Sequence, residues 1–417
     1  MVENDAVTSS VLVASLAKIF KPSAPTDDRT LFRGRGDQLA SLAASMQHEG
    51  QHAIVYGERG VGKTSLAYMA MRVFELQAPE GIFVRLACGA EDDFASVWNK
   101  LVARLEQFLD TSDREVREAL GHAVNRIEDM FLDPPTPESV GRALHLLCSR
   151  TRVFIVIDEF DRINTMAHGA SFADLIKQIS DDLLDCTICL VGVADDVSDL
   201  VAGHASIDRS VRQIAMPRMT RDELTEIVVR GFGAFSERTA YSLDIQDAAA
   251  DAIANLSQGF PYYAHLLASA VGVHAIYDGR DEIGTDEIFT ALVRAKDDAE
   301  PSIKDTYYRA TVASRSDATF EKTLLACALS KTDHWGYFTA SDVRPALEGI
   351  MKIPRKNSDF NAHLKRFSGD PTYILETSAV TRRTPRYRFK NPLMRPYVLM
   401  QGLASGDLDP RAISTAG

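Results

Sequence analysis

The chain has 417 residues, 45% of them hydrophobic, and a formal net charge of −12. That length exceeds one ordinary domain and that apolar fraction fills real cores, so two or three domains are expected, while no run approaches the ~18 apolar residues of a membrane span. The start, Met1-Val2-Glu3-Asn4-Asp5, lacks the basic region of a secretion leader. Five scattered cysteines make no disulfide framework, so a cytoplasmic protein with reduced thiols and no membrane partner is expected.

The charge is uneven. Residues 320 to 400 hold 14 Lys/Arg against 7 Asp/Glu, leaving 32 basic against 51 acidic residues elsewhere. Bulk acidity disfavours nucleic acid, whereas a local basic patch can still grip it, so the C-terminal region is the place to look for a partner.

In chain order, residues 1 to 30 form an N-terminal segment with one short apolar helix pattern, 11 to 20, broken by Pro22, Pro25 and Asp27-Asp28. Leu31-Phe32-Arg33-Gly34-Arg35 follows, and Phe32 with Arg35 suggests either a clamp on a base and ribose or a plain lead-in turn. A helix over 37 to 47 then leads into the apolar run 52 to 56.

That run ends on Gly57-Glu58-Arg59-Gly60-Val61-Gly62-Lys63-Thr64-Ser65, which fits G-x-x-x-x-G-K-[ST] without a mismatch and is followed by a helical pattern. Glycines let consecutive N–H groups turn around an anion at a helix N-terminus. Lys63 then neutralises the β- and γ-phosphates, and Thr64 offers its hydroxyl to Mg²⁺. No guanine-selecting Asn-Lys-x-Asp occurs, so ATP/ADP with Mg²⁺ are the expected ligands.

A second strand is expected at 82 to 86. A helix with a buried stripe (Phe94, Val97, Trp98, Leu101, Leu105) comes next, then helices near 113 to 130 and 137 to 150. The continuous apolar run 152 to 157 reads as a central parallel strand, and it delivers Asp158 and Glu159 to its C-terminal edge. Asp158 is expected to hold Mg²⁺ and Glu159 to activate the attacking water. A helix over 171 to 184 leads to another strand ending at Ala194-Asp195. Cys186 and Cys189 form C-x-x-C at its start, which reads as core packing. Arg209 and Arg212 follow, either as residues reaching a γ-phosphate on a neighbouring subunit or as ordinary surface arginines.

From Thr220 the strands stop. Thr220 to Glu223 looks like a capping box, and further helices are expected near 245 to 257, 260 to 277 and 285 to 298. Residues 318 to 401 then read as three helices and a hairpin, the winged-helix layout. Arg382, Arg383, Arg386, Arg388 and Lys390 on the hairpin, with Lys365 and Arg366 on the last helix, either follow a double-stranded DNA backbone or pair with acidic protein surface. The expected divisions are 1–30, an ATPase core at 31–218, a helical lid and linker at 219–317, a winged helix at 318–401 and a flexible tail at 402–417.

Taken together, the P-loop, the Asp158-Glu159 strand, the lid and the winged helix resemble the AAA+ ATPases of the initiator clade over residues 30 to 400. The nearest likenesses are archaeal origin-recognition proteins and the STAND signalling ATPases. The resemblance implies an α/β fold: a P-loop parallel sheet sandwiched by helices, then an α-helical lid and a winged helix. It assigns phosphate binding to Gly57, Gly60, Gly62 and Lys63, Mg²⁺ to Thr64 and Asp158, catalysis to Glu159, and adenosine contacts to Phe32 and Arg35. Two positions depart from the pattern. The polar residue usual at the end of the fourth strand falls at Ala194-Asp195, and the lid has Gly259-Phe260-Pro261-Tyr262-Tyr263 where initiators place an arginine. That Gly-x-Pro resembles the STAND lid, whose proline packs on the nucleotide. An intact hydrolytic pair beside altered sensors implies a slow or partner-stimulated ATPase switch that assembles with copies of itself. The alternatives are a DNA-binding initiator or a transposition or plasmid ATPase, and a defence or signalling scaffold gating a separately encoded effector.

Overall fold

The computed structural model describes residues 2–22, 24, 31–194, 209–312, 319–333, 336–378 and 385–409. The chain divides into two compact units: 25–58 with 62–217, and 1–24 with 59–61 and 218–417.

The chain opens with helix α1 (Val2–Ile19) of the second unit, nine residues longer at its start than the apolar pattern predicts. The first unit then begins with α2 (Gly36–Ser45), β1 (His52–Gly57) and α3 (Lys63–Gln77). Next come β2 (Ile82–Ala87), α4 (Phe94–Thr111), α5 (Arg114–Met130) and α6 (Pro137–Cys148). It closes with β3 (Val153–Asp158), α7 (Thr165–Asp181), β4 (Cys186–Val193) and β5 (Val211–Ala215).

The five strands form one sheet in the order β2-β3-β4-β1-β5, every pairing parallel. All six residues of β3 are buried, as expected of a strand covered on both faces, which is why it reads as an unbroken apolar run. Trp98 and Leu101 of α4, Leu144 and Leu147 of α6 and Phe172 of α7 belong to the same core cluster as Ile155 and Ile157. Side chains start these helices: Asp93 accepts from the Ser96 N–H at 2.8 Å, Asp113 from Val116 at 3.0 Å and Thr136 from Ser139 at 3.2 Å. Cys186 and Cys189 are buried strand residues and all five cysteines are free thiols.

The second unit continues with α8 (Arg221–Thr239), β6 (Asp244–Ile245), α9 (Asp247–Ser257) and α10 (Pro261–Tyr277). It then runs through β7 (Glu282–Ile283), α11 (Thr285–Asp298) and α12 (Pro301–Thr311). The Thr220 capping box forms: the Glu223 carboxylate accepts from the Thr220 N–H at 2.7 Å and the Thr220 hydroxyl accepts from the Glu223 N–H at 3.3 Å. Helix α1 packs on α8 and α10. Phe20 lies 4.9 Å from the Phe232 ring, and a Cβ on Gly272 would sit 2.7 Å from Leu16, so small residues on α8 and α10 admit the first helix.

The chain ends with α13 (Thr319–Leu329), β8 (Phe338–Thr339), α14 (Ala340–Met351), α15 (Asn361–Phe367), β9 (Leu375–Ser378), β10 (Arg386–Phe389) and α16 (Met394–Ala404). The three strands form an antiparallel sheet in the order β8-β10-β9. Tyr263 of α10 donates its hydroxyl to the Leu393 carbonyl at 2.6 Å, just before α16. Helix α16 passes residue 402, the expected start of a tail, and Leu408 beyond it is buried; residues 410–417 lie outside the described ones.

Candidate nucleotide-binding site

The site is built where β1 and β3 end. Gly57 closes β1, and a Cβ there would sit 2.4 Å from the Met216 carbonyl oxygen, so no side chain fits. Gly62, at φ 95°, turns the chain into α3 in a left-handed conformation that costs glycine nothing. Lys63 curls back over the loop and donates to the carbonyls of Gly57 at 2.9 Å and Glu58 at 2.8 Å. Ser65 lies in the first turn of α3.

Across from the loop, Asp158 is buried at the end of β3. Its Oδ2 accepts from the Thr64 hydroxyl at 3.3 Å and its Oδ1 from the Glu159 N–H at 2.9 Å. Two hard oxygen donors side by side, at the first turn of α3 beside Lys63, suit a magnesium nucleotide. Glu159 adopts a left-handed conformation (φ 56°), an uncommon one for a non-glycine residue and concentrated at functional turns. Its carboxylate is half exposed and ion-paired with Arg162 at 2.8 Å.

Sequence reasoning missed two arginines here. Arg85 of β2 donates to Asp158 Oδ2 through Nη2 at 2.6 Å and Nε at 3.1 Å, with its guanidinium carbon 5.3 Å from the centre of the Tyr68 ring. Burial works against the Arg85 charge, but its hydrogen bonds and attraction to Asp158 prevail and its pKa is raised. The signal was a lone charge inside the alternating strand 82–86. Arg162 follows Glu159 by one turn of a short 3-10 helix, Phe160–Arg162, which the sequence pattern does not announce.

The other candidates are dispersed. Arg35 is buried at the start of α2 and donates to the Pro217 carbonyl at 2.5 Å, and Phe32 is half-buried three residues before it. Arg209 and Arg212 are exposed at the start of β5; Arg212 pairs in register with Ala53, four residues before Gly57. They therefore stand at the opposite end of the strands from Lys63, and neither serves the P-loop of its own chain. Ala194 is buried, and Asp195 lies outside the described residues.

Arg59, Gly60 and Val61 group with the second unit. There Arg59 pairs with Glu300 at 3.0 Å, a Cβ on Gly60 would meet Leu393 at 2.6 Å, and Val61 is buried. Pro261 is the first residue of α10. On the hairpin, Arg386 pairs with Asp333 and Arg388 with Glu376, and Lys390 lies 5.6 Å from the Tyr373 ring centre. Arg366 stacks on Phe320, while Lys365 is exposed. Arg382 and Arg383 fall outside the described residues.

Residues 23–270 match the model of the novel STAND NTPase 1 family, more than half of the chain and all of the P-loop site. The chain belongs to that family. A novel STAND NTPase is a nucleotide-binding P-loop protein, and the matched residues include the G-x-x-x-x-G-K-[ST] motif at 57–64. No curated protein matches the chain.

Among solved structures, the Aeropyrum pernix ORC2 protein in ADPNP-ADP complexes is 16% identical, covers 93% of this chain and 98% of its own, and superposes with a TM-score of 0.51. A Walker-type ATPase of Pyrococcus abyssi gives 16%, 91%, 99% and 0.49. Cdc6p from Pyrobaculum aerophilum gives 16%, 94%, 99% and 0.45. The first shows that this novel STAND NTPase has the AAA+ fold of an origin-recognition protein, including the residues after 270 that the family match does not reach. Among the described residues no helix is long and apolar enough to cross a membrane.

Proposed function

We propose that this novel STAND NTPase is a slow ATP-driven switch, in which Mg²⁺·ATP binding promotes assembly with further copies of the chain and hydrolysis resets it. The observation that carries the reading is the ion pair between Arg162 and Glu159 at 2.8 Å, which occupies the carboxylate that would activate water. Lys63 and Asp158 are likewise engaged with groups of the protein, so binding and turnover both require exchange of internal partners.

In this reading residues 57–65 hold the phosphates, Thr64 and Asp158 hold Mg²⁺, and the metal supplies charge neutralisation at the β- and γ-phosphates. Phe32, Arg35 and Pro261 are assigned to the nucleoside, and Arg209 or Arg212 to the γ-phosphate of a neighbouring copy.

Three helices with a three-stranded sheet support a winged helix at the C-terminus. We infer that its partner is a protein effector rather than duplex DNA, because Arg386 and Arg388 are already neutralised by Asp333 and Glu376. Steady-state ATP hydrolysis at several protein concentrations, with and without duplex DNA at fixed salt and with Glu159→Gln as blank, tests both parts. Slow turnover that rises with protein concentration and ignores DNA is expected. Full nucleotide binding with no hydrolysis at any concentration would remove the enzymatic half, and strong stimulation by DNA would restore the initiator alternative.

A further inference from the structure

Asp158 is the buried carboxylate of the site, and its Oδ2 already accepts from three donors. Arg85 reaches that one oxygen with two N–H groups, at 2.6 and 3.1 Å, and the Thr64 hydroxyl reaches it at 3.3 Å, while Oδ1 takes the Glu159 N–H. The contact follows from the sheet. Ala87 stands opposite Asp158 in the β2–β3 register, and Arg85, two residues earlier, projects from the same face. Asp158 has a side-chain exposure of 3%, and a carboxylate so far out of water is held by the cation and hydrogen-bond donors beside it.

We propose that Arg85 is a built-in counter-ion that stands in for the divalent metal at Asp158 and must leave that oxygen when the metal enters. The residue thereby sets how much metal binding and nucleotide binding depend on each other. With Arg85 in place, a nucleotide diphosphate entering without metal meets a neutralised Asp158 and is tolerated. A divalent cation entering with the nucleotide must first displace a two-pronged, charge-assisted contact, so its apparent affinity is lowered. The side chain has somewhere to go: it is 31% exposed and its guanidinium already borders the Tyr68 ring.

The inference rests on nucleotide binding at the P-loop, and the experiment separates the two. Calorimetry of ADP binding in EDTA comes first, on the full chain. Electron paramagnetic resonance then measures Mn²⁺ binding to the ADP-saturated protein, for the parent chain and for Arg85→Met. Removing the guanidinium is expected to weaken metal-free ADP binding and to tighten Mn²⁺ binding by about tenfold or more, because Asp158 is then unpaired until the metal arrives. Unchanged or weaker Mn²⁺ binding in a folded Arg85→Met overturns the counter-ion role while leaving nucleotide binding intact. Failure of the parent chain to bind ADP, with or without Mn²⁺, overturns the site itself.

Should Arg85→Met not fold, the parent chain carries the test. Phenylglyoxal labelling of Arg85, mapped by mass spectrometry, is expected to accelerate when Mg²⁺ joins ADP. An Arg85 whose labelling does not change with Mg²⁺ refutes the displacement.

Discussion

Arg162 Nη1 lies 2.8 Å from Glu159 Oε2, one short turn along the chain and away from the buried Asp158. Both side chains are about half exposed, so the pair is weak and exchangeable, and under the proposed function it would restrain catalysis rather than abolish it. Arg162→Gln is expected to raise single-turnover hydrolysis by about two- to fivefold with ATP affinity unchanged, whereas Glu159→Gln lowers it by ~100-fold or more. Rapid-quench kinetics at saturating ATP checks both, and a slower Arg162→Gln would show that the arginine assists the chemistry.

Lys63 donates to two backbone carbonyls of its own loop. Lys63→Ala is therefore expected to keep the parent melting temperature within about 2 °C while losing ~100-fold or more in ATP affinity. Calorimetric titration beside a thermal scan distinguishes loss of binding from loss of fold.

At Gly57 the conflict is with backbone, since a Cβ would stand 2.4 Å from the Met216 carbonyl oxygen. Gly57→Ala forces β1 and the chain after β5 apart and is expected to destabilise the first unit by about 3 kcal/mol. Urea unfolding followed by circular dichroism measures the loss, and a neutral outcome would mean that the strand end yields readily.

Burial lowers the pKa of two histidines. His52, whose Nδ1 accepts from the Ile188 N–H at 3.0 Å, has its pKa lowered by burial to about 3, and burial lowers that of His265 to about 4. Both folded values lie below the unfolded 6.5, so the neutral rings contribute stability above pH 6.5 that is lost as pH falls towards 3 to 4. Each costs about 1.4 kcal/mol per pH unit in that window. Denaturation midpoints at pH 7.5, 6.5 and 5.5 should fall mainly across the last interval, and His52→Gln should flatten that fall.

Arg386 and Arg388 are expected to act on the C-terminal module itself. Truncating either to alanine should lower its melting temperature by a few degrees. Any DNA binding of the full chain should keep its salt dependence, because a lost phosphate contact changes that slope by about 0.9. Binding isotherms across a salt series decide it.

The P-loop, the apolar run of β3 and the helices over 114–130 and 137–148 were legible because periodicity and motif are local properties. What escaped was pairing between distant residues. The contact between Arg85 and Asp158 depends on the β2–β3 register, which no single strand encodes. Strand β5 was read only as the surroundings of two arginines, because at the sheet edge three of its five residues are exposed and the apolar signal is thin. The charges of Arg386 and Arg388 counted towards a basic patch until β10 placed Arg388 across from Glu376.

Helix α1 packs on α8 and α10, which lie past residue 218 of the chain. On the ribosome, at ~5–20 residues per second, Leu12, Leu16 and Phe20 therefore stay uncovered for about 10 to 40 seconds while the entire first unit is synthesised. The order of synthesis therefore leaves the second unit to close after the first.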